Sequence, residues 1–337
     1  MSQRTYQSVM RMIQRNNMIN LDLLLREADT IAIAGHMNPD GDCVGSCLAT
    51  YNYIKEYYPD KRVDLYLDPI PNIFKFLRYS EDIKSERSEN ICYDLMIVQD
   101  CGDVERLGES IKYFDSAKVT VNIDHHISND LFGKYHYVIP TASSTSELIF
   151  NLMPKEKINR FIAECLYVGM VHDTGVFQYS CTSKSTMEAA GFLMELGINY
   201  SKIVDETYFV KTFEQQKIIG LALLKSKLHL DGLCISCFIT QEEMNQYHVL
   251  PKHLDGISSM LRSTKGVETS VFLYENGENQ YKVSMRSAQY MDVAAIAVKH
   301  GGGGHIRAAG CTLKGKPEEL IDMLVNEIEE QRKGGEC

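Results

Sequence analysis

Apolar residues follow two rhythms along this chain. In the first half, nearly continuous apolar runs at 31–34, 95–98 and 119–123, with a further β-like run at 63–67, alternate with segments of helical spacing. Continuous runs mark strands buried on both faces. In the segment 157–170, Ile158, Phe161, Ile162, Cys165 and Leu166 fall on one helical stripe. This strand–helix alternation predicts an open parallel α/β sheet. In such sheets ligands bind beyond the carboxyl ends of the strands.

The rhythm then changes. Residues 184–226 read mainly as helix, with Met187 to Leu196 stopped by Gly197 and a second helical pattern from Asn199 to Leu224. Beyond it, Leu233 to Thr240 reads as a strand, and Thr269 to Tyr274 and Gln280 to Met285 flank a hairpin signal at Glu275-Asn276-Gly277. Asp292 caps a short helix running to about Lys299, and Pro317 opens a last helix over about 317–332. The expected organisation is an N-terminal parallel-sheet domain over 1–190, a helical linker over 191–226 and a smaller C-terminal α/β domain over 227–337.

The 337 residues suit two domains, and 44% hydrophobic with 24% charged residues is an ordinary globular balance. No uninterrupted apolar stretch has membrane-spanning length, and the start, Met1-Ser-Gln-Arg4, leads into a polar stretch without a signal-peptide core. A cytoplasmic protein with no membrane contact is therefore expected. The formal charge of −10 argues against coating long nucleic acid, yet leaves room for a short anion held by a basic patch or by metal ions. The ten cysteines are scattered. Cys234-Ile235-Ser236-Cys237 has metal-ligand spacing, but it lies in a strand-like run with no second pair, so it reads as two small core residues.

Polar clusters follow the predicted strands. They are Gly35-His36-Met37-Asn38-Pro39-Asp40-Gly41-Asp42-Cys43-Val44-Gly45-Ser46 after 31–34, Gln99-Asp100 after 95–98, and Asp124-His125-His126 after 119–123. A fourth, His172-Asp173-Thr174-Gly175, follows the helix over 157–170. Singly, each reads as a turn or a cap. Together they bring acids and imidazoles to the edge of a parallel sheet where a ligand is expected. Such acids repel one another unless a cation offsets them. Imidazole with several carboxylates and no thiolate suits manganese, iron or zinc better than calcium. The number of acids suggests two metals, which can share a carboxylate and clamp both oxygens of a displacement at phosphorus. His172, beside Asp173, reads as a packing or supporting residue.

Asp124-His125-His126 resembles the signature of the DHH phosphoesterase family. His36-x-x-Pro39-Asp40-x-Asp42-x-x-Gly45-Ser46 resembles its first motif, and Gly301-Gly302-Gly303-Gly304-His305-Ile306-Arg307-Ala308-Ala309-Gly310 resembles the motif of the associated DHHA1 domain. Asn122-Ile123-Asp124-His125-His126, Ala142 to Glu147 and Val283 to Ser287 resemble the branch acting on short oligoribonucleotides.

The resemblance implies an active site in the cleft between the two domains and two manganese ions. His36, Asp40 and Asp100 would hold one, and Asp42, Asp100, His125 and Asp173 the other, with Asp100 bridging. His126 would face the scissile phosphate and Asp124 would support the site. Cys43 and Cys101 stand where small or polar residues are expected, which makes oxidation a possible sensitivity.

The glycine run alone reads as a flexible turn, but its amides could approach a phosphate. Candidate substrate contacts are Arg286, Gly303, Gly304, His305 and Arg262, with Lys265 and Lys299 as weaker ones that read singly as surface charge. The second domain is expected to close over the cleft and limit substrates to a few nucleotides.

The implied activity is metal-dependent hydrolysis of short single-stranded RNA to mononucleotides, with removal of the 3′-phosphate from 3′-phosphoadenosine 5′-phosphate (pAp). A homodimer is also envisaged. The alternatives are a phosphodiesterase for cyclic dinucleotides or their linear products pApA and pGpG, a degenerate nucleotide-binding module, and a pyrophosphatase or polyphosphatase. A single-strand DNA exonuclease fits less well, because no additional nucleic-acid-binding domain is evident.

Overall fold

In the computed structural model, which describes residues 19–87 and 90–334, the continuous apolar runs form the middle of one sheet. The polar start of the chain lies outside the described residues. Strands β1 (Thr30–Ala34), β2 (Arg62–Tyr66), β3 (Leu95–Gln99), β4 (Val119–Asp124) and β5 (Tyr135–Val138) are all parallel, in the order β2-β1-β3-β4-β5. The runs are continuous because both faces are covered. Ile31, Ile33, Leu95, Ile97, Val121 and Ile123 pack with residues of the helices Gly41–Tyr57 and Arg160–Asp173. Ala32, Ala34, Met96 and Val98 point the other way, onto Tyr66, Tyr93, Leu107 and Tyr113. The edge strand β5 was not predicted. Its Tyr-His-Tyr-Val is mostly half-exposed and carries no continuous apolar signal.

Strand order reverses between β1 and β3. That is the switch point where the following loops diverge and leave a crevice. The helices Gly41–Tyr57 and Arg160–Asp173 approach closely through two glycines. A Cβ on Gly45 would stand 2.5 Å from the Cys165 carbonyl oxygen, and one on Gly169 would stand 2.6 Å from Asp42 Oδ1. This crossing brings the start of one helix to the end of the other.

The chain divides into two compact units, Met1–Val210 and Lys211–Cys337. The boundary falls inside the stretch expected as a linker. The helical pattern from Asn199 to Leu224 is also not one helix. It runs as Tyr200–Val204 and a wider turn, Asp205–Phe209, then breaks, and Thr212 opens the helix Phe213–Lys225 through reciprocal capping with Gln215.

The second unit holds a mixed six-stranded sheet. Strands β6 (Lys227–His229), β7 (Cys234–Ile239), β8 (Thr269–Glu275), β9 (Gln280–Ser287), β10 (Gly303–His305) and β11 (Ala308–Lys314) lie in the order β10-β11-β9-β8-β7-β6. The β7–β8 pair is parallel and the other pairs are antiparallel. Cys234 packs on the face covered by the helices Val293–Lys299 and Pro317–Gly334. Cys237 packs on the opposite face, with residues of the helices Phe213–Lys225 and Ile257–Arg262. Three residues apart on a strand, the two thiols cannot clamp one ion.

Half of the glycine run is a strand. Gly303–His305 pairs with Ala308–Gly310, and a Cβ on Gly304 would meet the Ala308 carbonyl oxygen at 2.5 Å. Close backbone approach, rather than flexibility, accounts for glycine there.

Candidate metal centre

Three strand ends supply the centre. β1 leads into Gly35-His36, β3 into Asp100, and β4 ends in Asp124 before His125 and His126. Asp40 caps the helix Gly41–Tyr57, its Oδ1 accepting the amides of Asp42 and Cys43 at 3.1 Å each. Asp173 closes the helix Arg160–Asp173.

The structure brings these residues together. His36 Nδ1 lies 2.8 Å from the Met37 carbonyl, so it donates there, and Nε2 faces Asp100 Oδ2 at 3.5 Å and Asp40 Oδ1 at 3.8 Å. His125 Nε2 lies 2.9 Å from Asp173 Oδ2, 3.6 Å from Asp100 Oδ1 and 4.0 Å from Asp42 Oδ2. Asp100 therefore stands between the two imidazoles, with one carboxylate oxygen toward each. Its backbone is held at φ +54°, in the left-handed region that costs a non-glycine residue energy. The amide of Asp100 donates to the Ile123 carbonyl of the neighbouring strand at 3.0 Å, which anchors that turn.

His126 is oriented by Asp124, whose Oδ1 lies 2.7 Å from Nδ1. Asn129 supports Asp124 in turn, donating to Oδ2 at 2.6 Å. His172 lies apart from the set. Its Nε2 is 3.0 Å from Thr207 Oγ1, and its ring packs edge-on to Phe74 and Tyr208.

The electrostatics show what the cluster lacks. Burial alone would strip the proton from His36, yet Asp100 and Asp40 hold its pKa up at about 12. His125 behaves alike: burial is outweighed by Asp173, Asp100 and Asp42, and its pKa rises to about 11. Asp42 is pushed well above the usual carboxylate range by burial and by Asp100 and Asp173. All three shifts mark a site short of positive charge. Among the described residues, three groups place their ligand atoms within 4.8 Å of one another: Asp42-His125-Asp173, Asp100-His125-His126 and His36-Cys43-Asp100. This donor set, carboxylates and imidazoles on both sides of Asp100, could hold divalent metal. The third group includes a sulfur, because the helix start turns the Cys43 thiol inward.

Sequence reading missed the residues that hold Asp42. The amides of Thr145 and Ser146 donate to its two oxygens at 2.6 and 2.9 Å, and Thr145 Oγ1 donates to Asp100 at 3.2 Å. They form the first turn of the helix Thr145–Leu152, where amides lack partners within the helix. Glu147, one residue on, is buried among Ser143, Ser185 and Thr186, which hold that turn in place. The Ser-Ser-Thr-Ser-Glu run was noted as a likeness, but its contacts were invisible without the fold.

In the second unit, the register aligns Arg286 of β9 with Ala308 of β11, and Ala308 with His305 of β10. Arg286 and His305 therefore flank one small residue on the same face. Gly303 and Gly304 lie exposed beside them, and Arg262 closes the helix Ile257–Arg262. Arg307 turns back, donating to the Met291 carbonyl at 2.7 Å. Asp255 was not foreseen. Burial raises its carboxyl pKa, and the cations of Arg286 and Lys211 act against that rise.

Comparison with known proteins agrees with this geometry. The family model for the DHH family, N-terminal domain, matches residues 30–170, and that for the DHHA1 domain matches 234–333. The bifunctional oligoribonuclease and PAP phosphatase NrnA of Bacillus subtilis is 30% identical over 89% of this chain and 94% of its own length. The cyclic-di-AMP phosphodiesterase PdeA of Listeria monocytogenes is 28% identical over 92% of this chain but only 48% of its own length. A solved exopolyphosphatase-related protein from Bacteroides fragilis superposes with a TM-score of 0.86 at 28% identity, covering 92% of this chain and 94% of that one.

Proposed function

This chain belongs to the DHH family, and from that premise we propose that it is a manganese-dependent phosphoesterase that hydrolyses short oligoribonucleotides to mononucleotides and converts pAp to AMP. That it is a metal-dependent hydrolase follows from the family; the substrates and the preferred ion are the proposal. One observation carries it: Asp100 stands between His36 and His125, at 3.5 and 3.6 Å, with further carboxylates beyond each ring. That arrangement suits two ions sharing one carboxylate. We assign His36, Asp40 and Asp100 to one ion and Asp42, Asp100, His125 and Asp173 to the other.

When bound, such a pair of ions activates water and offsets the charge that develops at phosphorus. The chain does the rest. Thr145 and Ser146 orient Asp42, and the Ile123 carbonyl anchors the turn that presents Asp100. Asp124 keeps a proton on His126 Nδ1 and fixes its ring, so that His126 can contact a phosphoryl oxygen or protonate the leaving oxygen. Arg286 and His305 bind a phosphate of the substrate, with Gly303 and Gly304 beside His305 on its strand and Arg262 as a further candidate contact. We place this activity in the cytoplasm.

A second reading, hydrolysis of a cyclic dinucleotide or its linear product, is favoured by the likeness to PdeA. Ion-exchange analysis of products from pAp, pApA, a short RNA ladder and cyclic di-AMP, with manganese and then with EDTA, separates the two. EDTA-sensitive release of AMP from pAp and of mononucleotides from the shortest RNAs is expected. Cleavage of cyclic di-AMP alone would replace the first reading with the second.

A further inference from the structure

We propose that Cys43 is a ligand of the ion held by His36 and Asp100, giving that position a thiolate donor and a bias toward thiophilic divalent metals. The inference rests on the two-metal reading above. Cys43 occupies the first turn of the helix Gly41–Tyr57, where its amide is tied to Asp40 at 3.1 Å. That tie sets the side-chain direction. Sγ, a ring nitrogen of His36 and a carboxylate oxygen of Asp100 all lie within 4.8 Å of one another. Around a tetrahedral zinc-like ion, ligand atoms stand about 3.5 Å apart. His36 Nε2 and Asp100 Oδ2 already stand 3.5 Å apart.

Burial sorts the donors at this position. The side chains of His36 and Asp100 are 5% and 2% exposed, whereas that of Asp40 is 59% exposed. An ion there would meet Asp40 on its solvent side and the fully buried Cys43 on its inner side. The sulfur lies against Gly35, where any Cβ would collide with it. A side chain at 35 would therefore displace the thiol from this place. Ligation releases the S–H proton to solvent and puts a sulfur–metal bond in its place. Thiolate among nitrogen and oxygen donors favours zinc, cobalt or iron over manganese at this one position, while Asp42, His125 and Asp173 leave the other position with oxygen and nitrogen alone.

The test uses the full-length protein, stripped by chelator and reloaded with cobalt(II). Metal content is measured by elemental analysis and ligation by near-ultraviolet absorption. A thiolate-to-cobalt charge-transfer band is expected in the wild type, in Cys47→Ala and in Cys101→Ala, and is expected to vanish in both Cys43→Ala and Cys43→Ser. Cys43→Ala is also expected to lose about tenfold or more in zinc affinity relative to manganese. Should Cys43→Ala fail to fold, Cys43→Ser decides. Cobalt bound without the band, or a band that survives both substitutions, would overturn the sulfur ligand and leave the two-metal reading standing. A wild type that takes up no metal would overturn both.

Discussion

The two units hold their polar residues in opposite ways. In the first, carboxylates and imidazoles, mostly buried or half-buried, gather at the ends of β1, β3 and β4 and are tied to one another and to helix amides. In the second, Arg286 and His305 lie along strands, and Gly303, Gly304 and His305 are exposed. The first arrangement gathers acids and is short of positive charge, which bound cations would offset. The second presents a row of donors across a sheet, with a small alanine between the two main ones, as suits an anion arriving from solvent. Under the proposed function, ion chemistry falls to the first unit and substrate recognition to the second.

The contrast can be broken most sharply at Asp100. Asp100→Asn removes the charge shared by both halves of the centre, so turnover should fall about a thousandfold or more and bound metal should drop together with it. EDTA should reproduce that loss in the wild type, and manganese should reverse it. A variant that keeps its metal and its activity would remove Asp100 from the centre.

A smaller effect is expected in the second unit. Arg286→Ala and His305→Ala should each lower kcat/KM for short RNA by about 10- to 100-fold, the worth of a hydrogen bond to a charged group. Metal content should stay unchanged. If either substitution strips metal, the division of labour between the units fails.

Gly169→Ala sharpens the comparison from the packing side. Its new methyl would collide with the Ser146 hydroxyl and press on Asp42, at 2.6 Å from Oδ1. The cost to stability should be about 1–3 kcal/mol in denaturant unfolding, accompanied by weaker metal binding. Gly303→Ala, with nothing within 4 Å of its would-be Cβ, should leave metal binding untouched.

The smallest effect concerns acid stability. Burial alone would raise the Glu147 carboxyl, but hydrogen bonds from Ser143, Ser185 and Thr186 more than offset it and hold its pKa below the usual value. A depressed carboxylate contributes stability that is present above its unfolded pKa and lost as pH falls through the folded one. The wild type should therefore lose stability more steeply than Glu147→Gln from about pH 5 downward. Parallel curves in urea titrations at several pH values would show that Glu147 does not carry this load.

Much of the centre could be read before folding, because its residues sit where continuous apolar runs stop. A run such as Leu95 to Val98 must be a strand buried on both faces, and the first polar residues after it must emerge at the sheet's edge. Position after a buried run places Asp100, His36 and Asp124. It does not reach Thr145, Ser146 or Asn129, because helix amides and a loop amide carry no sequence signal for the partner they serve. It also gave no warning of β5 or of the break at 210–212, where an edge position and a capping threonine outweighed the apolar pattern.

The sequence by itself determined the alternation of strands and helices, the family motifs and the acids and imidazoles of the centre. These follow from periodicity and residue chemistry, which are local properties. Only the tertiary structure decided that Asp100 stands between two imidazoles, that Thr145 and Ser146 hold Asp42, that Cys43 turns inward while Cys234 and Cys237 face apart, and that the glycine run pairs as a strand. Those outcomes depend on strand order, on a helix crossing at Gly45 and Gly169, and on register. All three are set by which distant surfaces bury each other, and no local pattern encodes that choice.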